Sequence, residues 1–79
     1  MQQPELYKWH MNIHIKKAIE IMGTQSALAK AIGVKQQHIH KWLYQVRKIP
    51  AEYVLPIERA VNGKISRYKM RPDIYPLEG

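Results

Sequence analysis

Residues 24–44 read Thr24-Gln25-Ser26-Ala27-Leu28-Ala29-Lys30-Ala31-Ile32-Gly33-Val34-Lys35-Gln36-Gln37-His38-Ile39-His40-Lys41-Trp42-Leu43-Tyr44. Apolar residues keep helical spacing on both sides of the one glycine. Leu28, Ala29 and Ile32 form one stripe, and Ile39, Trp42 and Leu43 recur at i, i+3 and i+4 to form another. Thr24 has the hydroxyl that an N-cap uses, and Gly33 tolerates the left-handed backbone that ends a helix. The spacing therefore predicts two short helices meeting at a tight corner. Counting from Gln25, Ala29 falls where the two backbones approach and Gly33 where the chain turns. Leu28, Ile32, Val34, Ile39 and Trp42 fall where the corner is buried. With this chain's composition, all seven positions comply by chance in one window with probability roughly 10⁻⁴. The stretch is read as a helix-turn-helix, an arrangement that suits the ~12 Å major groove of DNA.

Upstream of this corner, Ile15, Ala18, Ile19 and Met22 fall at i, i+3, i+4 and i+7 and predict a first helix from Ile13, capped by Asn12 and stopped by Gly23. Downstream, Pro50 suits a first helical turn, and Val54, Ile57 and Val61 mark a fourth helix ending at Asn62-Gly63. Pro56 lies inside it and removes a backbone donor, so a kink or two short helical pieces are expected there. Ser66 is placed to cap a last short turn before Pro72. Tyr53, Tyr68 and Tyr75 are assigned to packing. The reading is an all-α, compact domain of four to five helices over residues 12–79, preceded by an N-terminal arm at residues 1–11 that contains Pro4 and shows no helical period.

The whole chain has 79 residues, too few for most enzyme architectures. It has no cysteine, which excludes disulfides, thiolate zinc sites and cysteine nucleophiles. No run free of charge approaches the ~20 apolar residues of a membrane span, and Met1–Tyr7 lacks the basic start and apolar run of a secretory signal. A cytoplasmic protein is expected. Thirteen Lys and Arg oppose six Asp and Glu, a formal charge of +7 that attracts polyanions. The excess is concentrated at residues 12–49, where seven bases face Glu20 alone. Lys16 and Lys17 are too few for a membrane-surface helix. His10 and His14 stand at i, i+4 but lack the Glu of a zinc-protease motif and a third ligand, while His38 and His40 point two ways from a helix. No metal, cofactor or enzymatic activity is expected, since the sequence shows no nucleophile–base pair, phosphate loop or carboxylate dyad.

The chain resembles the Cro-like, lambda-repressor-like regulators of temperate phages, and more closely their prophage-encoded relatives, the YdaS antitoxin-like regulators. The likeness runs from about Met11 to Pro76. It rests on Gln25-Ser26-Ala27-Leu28-Ala29, Ile32-Gly33-Val34, Gln36-Gln37, Lys41-Trp42-Leu43, Ile49-Pro50-Ala51-Glu52, Ile57-Glu58 and Arg71-Pro72-Asp73-Ile74-Tyr75-Pro76. The resemblance implies a DNA-binding transcriptional regulator whose third helix enters the major groove, with Gln36, Gln37, His40 and Lys41 at the base-facing positions. One departure is Lys35, where relatives often carry a serine cap; losing a cap costs ~1 kcal/mol, while a lysine there gains a phosphate contact.

The side chains suit those roles. Gln36 and Gln37 each carry the donor and acceptor needed for adenine N6 and N7, and Lys41 reaches guanine O6 or N7, or a phosphate. His40 lies one turn further on the same face, where either ring tautomer can donate to a base or phosphate. Gln25, Lys35, Tyr44, Arg47 and Lys48 are assigned to the DNA backbone, Gln25 through its place at the start of the second helix. Two alternatives remain open: Gln36 or Gln37 bonds Gln25 to hold the helix in place, and the bases form an ordinary solvated face. Trp42 and Leu43 point inward. The partner expected is double-stranded operator DNA, bound by two copies, with residues after Val61 or the arm as dimer contacts. The competing reading is an antitoxin-type module that binds a toxin or other protein partner.

Overall fold

A computed structural model describes residues 11–45 and 48–76. Its described residues form α1 (Ile13–Met22), α2 (Gln25–Ile32), α3 (Gln36–Tyr44), α4 (Ala51–Ala60) and α5 (Arg67–Met70), with no strand among them. The all-α architecture is as expected. Packing joins α2 to α1, α3 and α4, sets α1 against α3, and lays α5 on α4.

The helix boundaries follow from local chemistry. The Asn12 side chain accepts the backbone N–H groups of His14 and Ile15 at 3.0 and 3.2 Å, satisfying two of the donors a helix start leaves open. The Thr24 hydroxyl accepts the Ala27 N–H at 3.0 Å. At the corner, Gly33 is left-handed at φ +78°. The Val34 N–H donates to the Ala29 carbonyl at 2.9 Å and the Gly33 N–H to the Lys30 carbonyl at 3.4 Å, the paired bonds of a Schellman stop. The same device ends α4, where Asn62 takes φ +55°. There the Gly63 N–H donates to the Glu58 carbonyl and the Asn62 N–H to the Arg59 carbonyl. Ser66 caps α5 through the Lys69 N–H.

One core holds these helices. Ile15, Ala18, Leu28, Ala29, Ile39, Trp42, Leu43, Val54, Ile57 and Val61 are buried, as their periodicity predicts, and Ile49, Ile65 and Met70 join them. Ile32 and Val34 are half-buried against that cluster rather than fully enclosed. The Trp42 ring lies 4.9 Å from that of Tyr53, so the inward tryptophan anchors α3 from behind.

Three expectations need correction. Pro56 does not divide α4, which runs unbroken from Ala51 to Ala60. The donor it lacks would have bonded the Glu52 carbonyl in the exposed first turn, where water can replace it. Tyr68 is not packed away: it is 38% exposed, with the Arg67 guanidinium 5.9 Å from its ring. Among the residues after Val61, Ile65 and Met70 complete the core. Within the expected arm, Met11 packs on the core; residues 1–10, including His10, lie outside the described residues.

Candidate nucleic-acid interface

Helix α3 carries the candidate site, and its placement is fixed at both ends and along its back. Behind it, Ile39, Trp42 and Leu43 are buried. At its C-terminal end the Leu43 carbonyl accepts the Asn12 N–H at 2.8 Å, so Asn12 caps α1 with its side chain and ties off α3 with its backbone. Asn12 is itself buried.

The N-terminal end is less conventional. Lys35 is the N-cap and offers no side-chain acceptor. His38 compensates in part, since its Nδ1 accepts the Lys35 N–H at 3.3 Å, the reciprocal arm of a capping box. This bond requires the tautomer with its proton on Nε2. The sequence signal was a hydrogen-bonding side chain three residues after the cap, with His38 in the place of the usual Glu or Gln. The ring also lies 6.3 Å from that of Trp42, so His38 supports the N-terminal end of α3. No group of three or more potential metal ligands occurs among the described residues.

With its back and ends fixed, α3 presents Gln36, Gln37, His40 and Lys41 exposed. None of their side chains is held by a hydrogen bond or ion pair to another described residue. In particular, neither Gln36 nor Gln37 bonds Gln25, so a glutamine clamp between α2 and α3 is not realised. The His40 ring leans on that of Tyr44 at 4.7 Å. Tyr44 is half-buried against the core, so it covers the end of α3 instead of projecting freely.

Around this face, Lys35 is exposed and Gln25 is half-buried at the first position of α2. Lys30, to which sequence reasoning gave no role, is exposed in the last turn of α2. Residues 24–45 contain no Asp or Glu, and no ion pair among the described residues involves Lys30, Lys35 or Lys41. Lys48 is placed differently, since its Nζ lies 3.4 Å from Asp73 Oδ2. Arg47 lies outside the described residues.

The segment after α3 is braced from the far end of the chain. Arg71 donates from one terminal nitrogen to the Ile49 carbonyl at 2.7 Å, while its Nε and other terminal nitrogen donate to Asp73 at 2.9 and 2.8 Å. This guanidinium holds the Asp73 carboxyl well below the usual carboxylate range. A second clamp joins α4 to α5. Glu58 accepts the Arg67 N–H and Nε–H, each at 3.0 Å, and these bonds keep its pKa below the ordinary value. Neither clamp was anticipated from the sequence.

Comparison with known proteins places this geometry. Residues 15–78 match the model of a family described as "Bacterial toxin YdaS". A protein of Escherichia coli strain K12, described as "Putative transcriptional regulator YdaS", is 40% identical over 63 residues, which cover 80% of the present chain. The match spans 64% of that relative's length. The fold is similar to that of the Cro protein from a prophage element, Xfaso 1, of Xylella fastidiosa strain Ann-1, with a TM-score of 0.72 and 39% sequence identity. That likeness covers 80% of this chain and 95% of the Cro chain. A helix-turn-helix corner packed on the core, a polar α3 face and a match over most of the length agree, and the chain belongs to the YdaS toxin family.

Proposed function

We propose that the protein is a sequence-specific DNA-binding transcriptional regulator that inserts α3 into the major groove of operator DNA and acts by occupying it, without catalysis. One observation carries the reading: Gln36, Gln37, His40 and Lys41 project from one helix whose other side is anchored in the core, and no described side chain competes for their hydrogen bonds. A rigid helix with unengaged amides and a cation is suited to reading base edges, the glutamines at adenine and Lys41 at guanine. Lys30, Lys35 and Gln25 flank it as phosphate contacts that set register without reading sequence. Arg47 and Lys48 extend that set, with Lys48 exchanging Asp73 for a phosphate. Two copies on inverted half-sites about 34 Å apart would present two α3 helices to one face of the duplex. The names of the E. coli relative and the Xylella Cro protein support regulation.

A second reading, a module that binds a protein partner, is favoured by the toxin description of the family. One experiment separates the two. The protein is titrated with genomic DNA fragments at several salt concentrations, beside a variant carrying Gln36→Ala, Gln37→Ala and Lys41→Ala. Operator recognition gives a steep negative salt slope for the parent and loss of fragment selectivity in the variant. Unselective binding by both proteins, or none, favours the partner module.

A further inference from the structure

Away from α2 and α3, a groove of about 280 Å³ opens between the start of α1, the turn after α4, and α5; it is lined by Ile13, His14, Lys17, Lys64, Ile65 and Lys69. Its size suits one or two side chains and lies below the usual range for a cofactor pocket. Ile65 provides a buried apolar floor, while Ile13 is 67% exposed beside it. Three exposed lysines form the rim. None of them makes an ion pair within 4 Å among the described residues, whereas Lys16, one position from Lys17, is engaged by Glu20 at 2.8 Å. No carboxylate of the described residues lines the groove.

We propose that this groove docks an acidic peptide segment of a protein partner, one apolar side chain seated between Ile13 and Ile65 and flanking Asp or Glu residues paired with Lys17, Lys64 and Lys69. Charge complementarity selects this occupant. A second copy of the chain docking through the same face would oppose three lysines with three lysines. A nucleic-acid backbone would satisfy the rim but has no apolar side chain for the floor. His14 sits inside the groove with its pKa lowered, first by burial and then by Lys69. It therefore contributes a neutral imidazole near neutral pH and leaves the lysines as the source of charge. This surface contains no residue of the proposed DNA face, so it stands or falls independently of operator binding.

The test is a methyl and amide NMR titration of the full chain with three synthetic peptides, in the absence of DNA. The first has one leucine flanked on each side by two glutamates, the second replaces leucine by serine, and the third replaces the glutamates by lysines. The first peptide is expected to shift the Ile13 and Ile65 methyl signals saturably, with affinity falling as salt rises. The second and third are expected to bind at least tenfold more weakly. Ile13→Ser, a change at a largely exposed side chain, is expected to weaken the first peptide about tenfold with the remaining spectrum unchanged. Lys17→Glu combined with Lys69→Glu is expected to abolish binding. Three results would overturn the proposal: no shift at Ile13 and Ile65, equal shifts with all three peptides, or shifts at those methyls produced only by duplex DNA or by raising the protein concentration.

Discussion

Residues 24–45 and residues 48–76 solve the same folding problem with opposite treatments of charge. The helix-turn-helix is held by apolar contacts, a threonine cap and one left-handed glycine, and its lysines make no ion pair among the described residues. The following segment buries apolar side chains too, but it commits Arg67 to Glu58 and both Arg71 and Lys48 to Asp73. Cations that hold the fold are thus mostly neutralised locally, and those on the proposed reading face are left to solvent. An uncommitted cation can release counterions and meet a phosphate without first breaking a protein contact. The contrast separates the cations of 48–76 that brace the fold, Arg67 and Arg71 and in part Lys48, from those left to solvent: Lys30, Lys35 and Lys41 at the proposed reading face, and Lys64 and Lys69 at the groove on the other side.

The strongest way to break the contrast is to remove the apolar support of α3. Trp42→Ala is expected to destabilise the chain by about 3–5 kcal/mol, a large share of what so small a domain has, and urea unfolding would show it as a lower midpoint. If the helix-turn-helix instead depended on charge, high salt would reproduce that loss in the parent. Next in size, Gln36→Ala or Gln37→Ala is expected to cost about 1–3 kcal/mol against the preferred fragment and little against others, measured by competition binding. Lys30→Ala should weaken all fragments alike and reduce the salt slope by about 1.

Smaller effects sharpen the comparison at the helix ends. Gly33→Ala meets open space, so its expected cost of about 1–2 kcal/mol comes from the left-handed backbone and not from a clash. Lys35→Ser restores a side-chain cap and is expected to stabilise α3 by about 0.5–1 kcal/mol while weakening DNA binding. A thermal melt and a binding isotherm on that one variant would then move in opposite directions. Acidification separates the two regions without mutation. Glu58 and Asp73 have pKa values lowered by folding, so their contribution is complete above the unfolded values, about 4.3 and 3.9, and is lost as pH falls through the folded ones. The Arg67 amide signal should hold from pH 7 to 5 and move only as pH falls below the ordinary glutamate range, and the Arg71 signal only at still lower pH, where Asp73 takes up its proton. Residues 24–45 have no carboxylate to lose.

Much of the fold was legible because it is written in short-range chemistry. The caps of Asn12, Thr24 and Ser66 and the Gly33 stop act within two to five residues of their partners, and the stripes on α1 to α4 repeat at the helical period. What escaped the sequence depends on distant contacts. Arg71 reaches Ile49 across 22 residues and Arg67 reaches Glu58 across 9, spacings that no helical period marks. Ile65 and Met70 are buried by the fold around them rather than by an amphipathic stripe of their own. The two-piece alternative at Pro56 was not needed because the rule against interior proline weakens where the deprived carbonyl lies in an exposed first turn. At the site, the residues on the polar face of α3 could be read from the inward positions of Ile39, Trp42 and Leu43. The role of His38 was missed, since a histidine in place of the usual Glu or Gln makes a weak capping signal.

If the polar face of α3 is the surface that meets DNA, the contact is visible directly. Amide and side-chain NMR signals followed during titration with a selected operator fragment provide that measurement. The largest shifts are expected at Gln36, Gln37, His40 and Lys41, with smaller ones at Gln25, Lys30 and Lys35. Shifts centred on Lys17, Lys64 and Lys69, with α3 unmoved, would contradict the assignment.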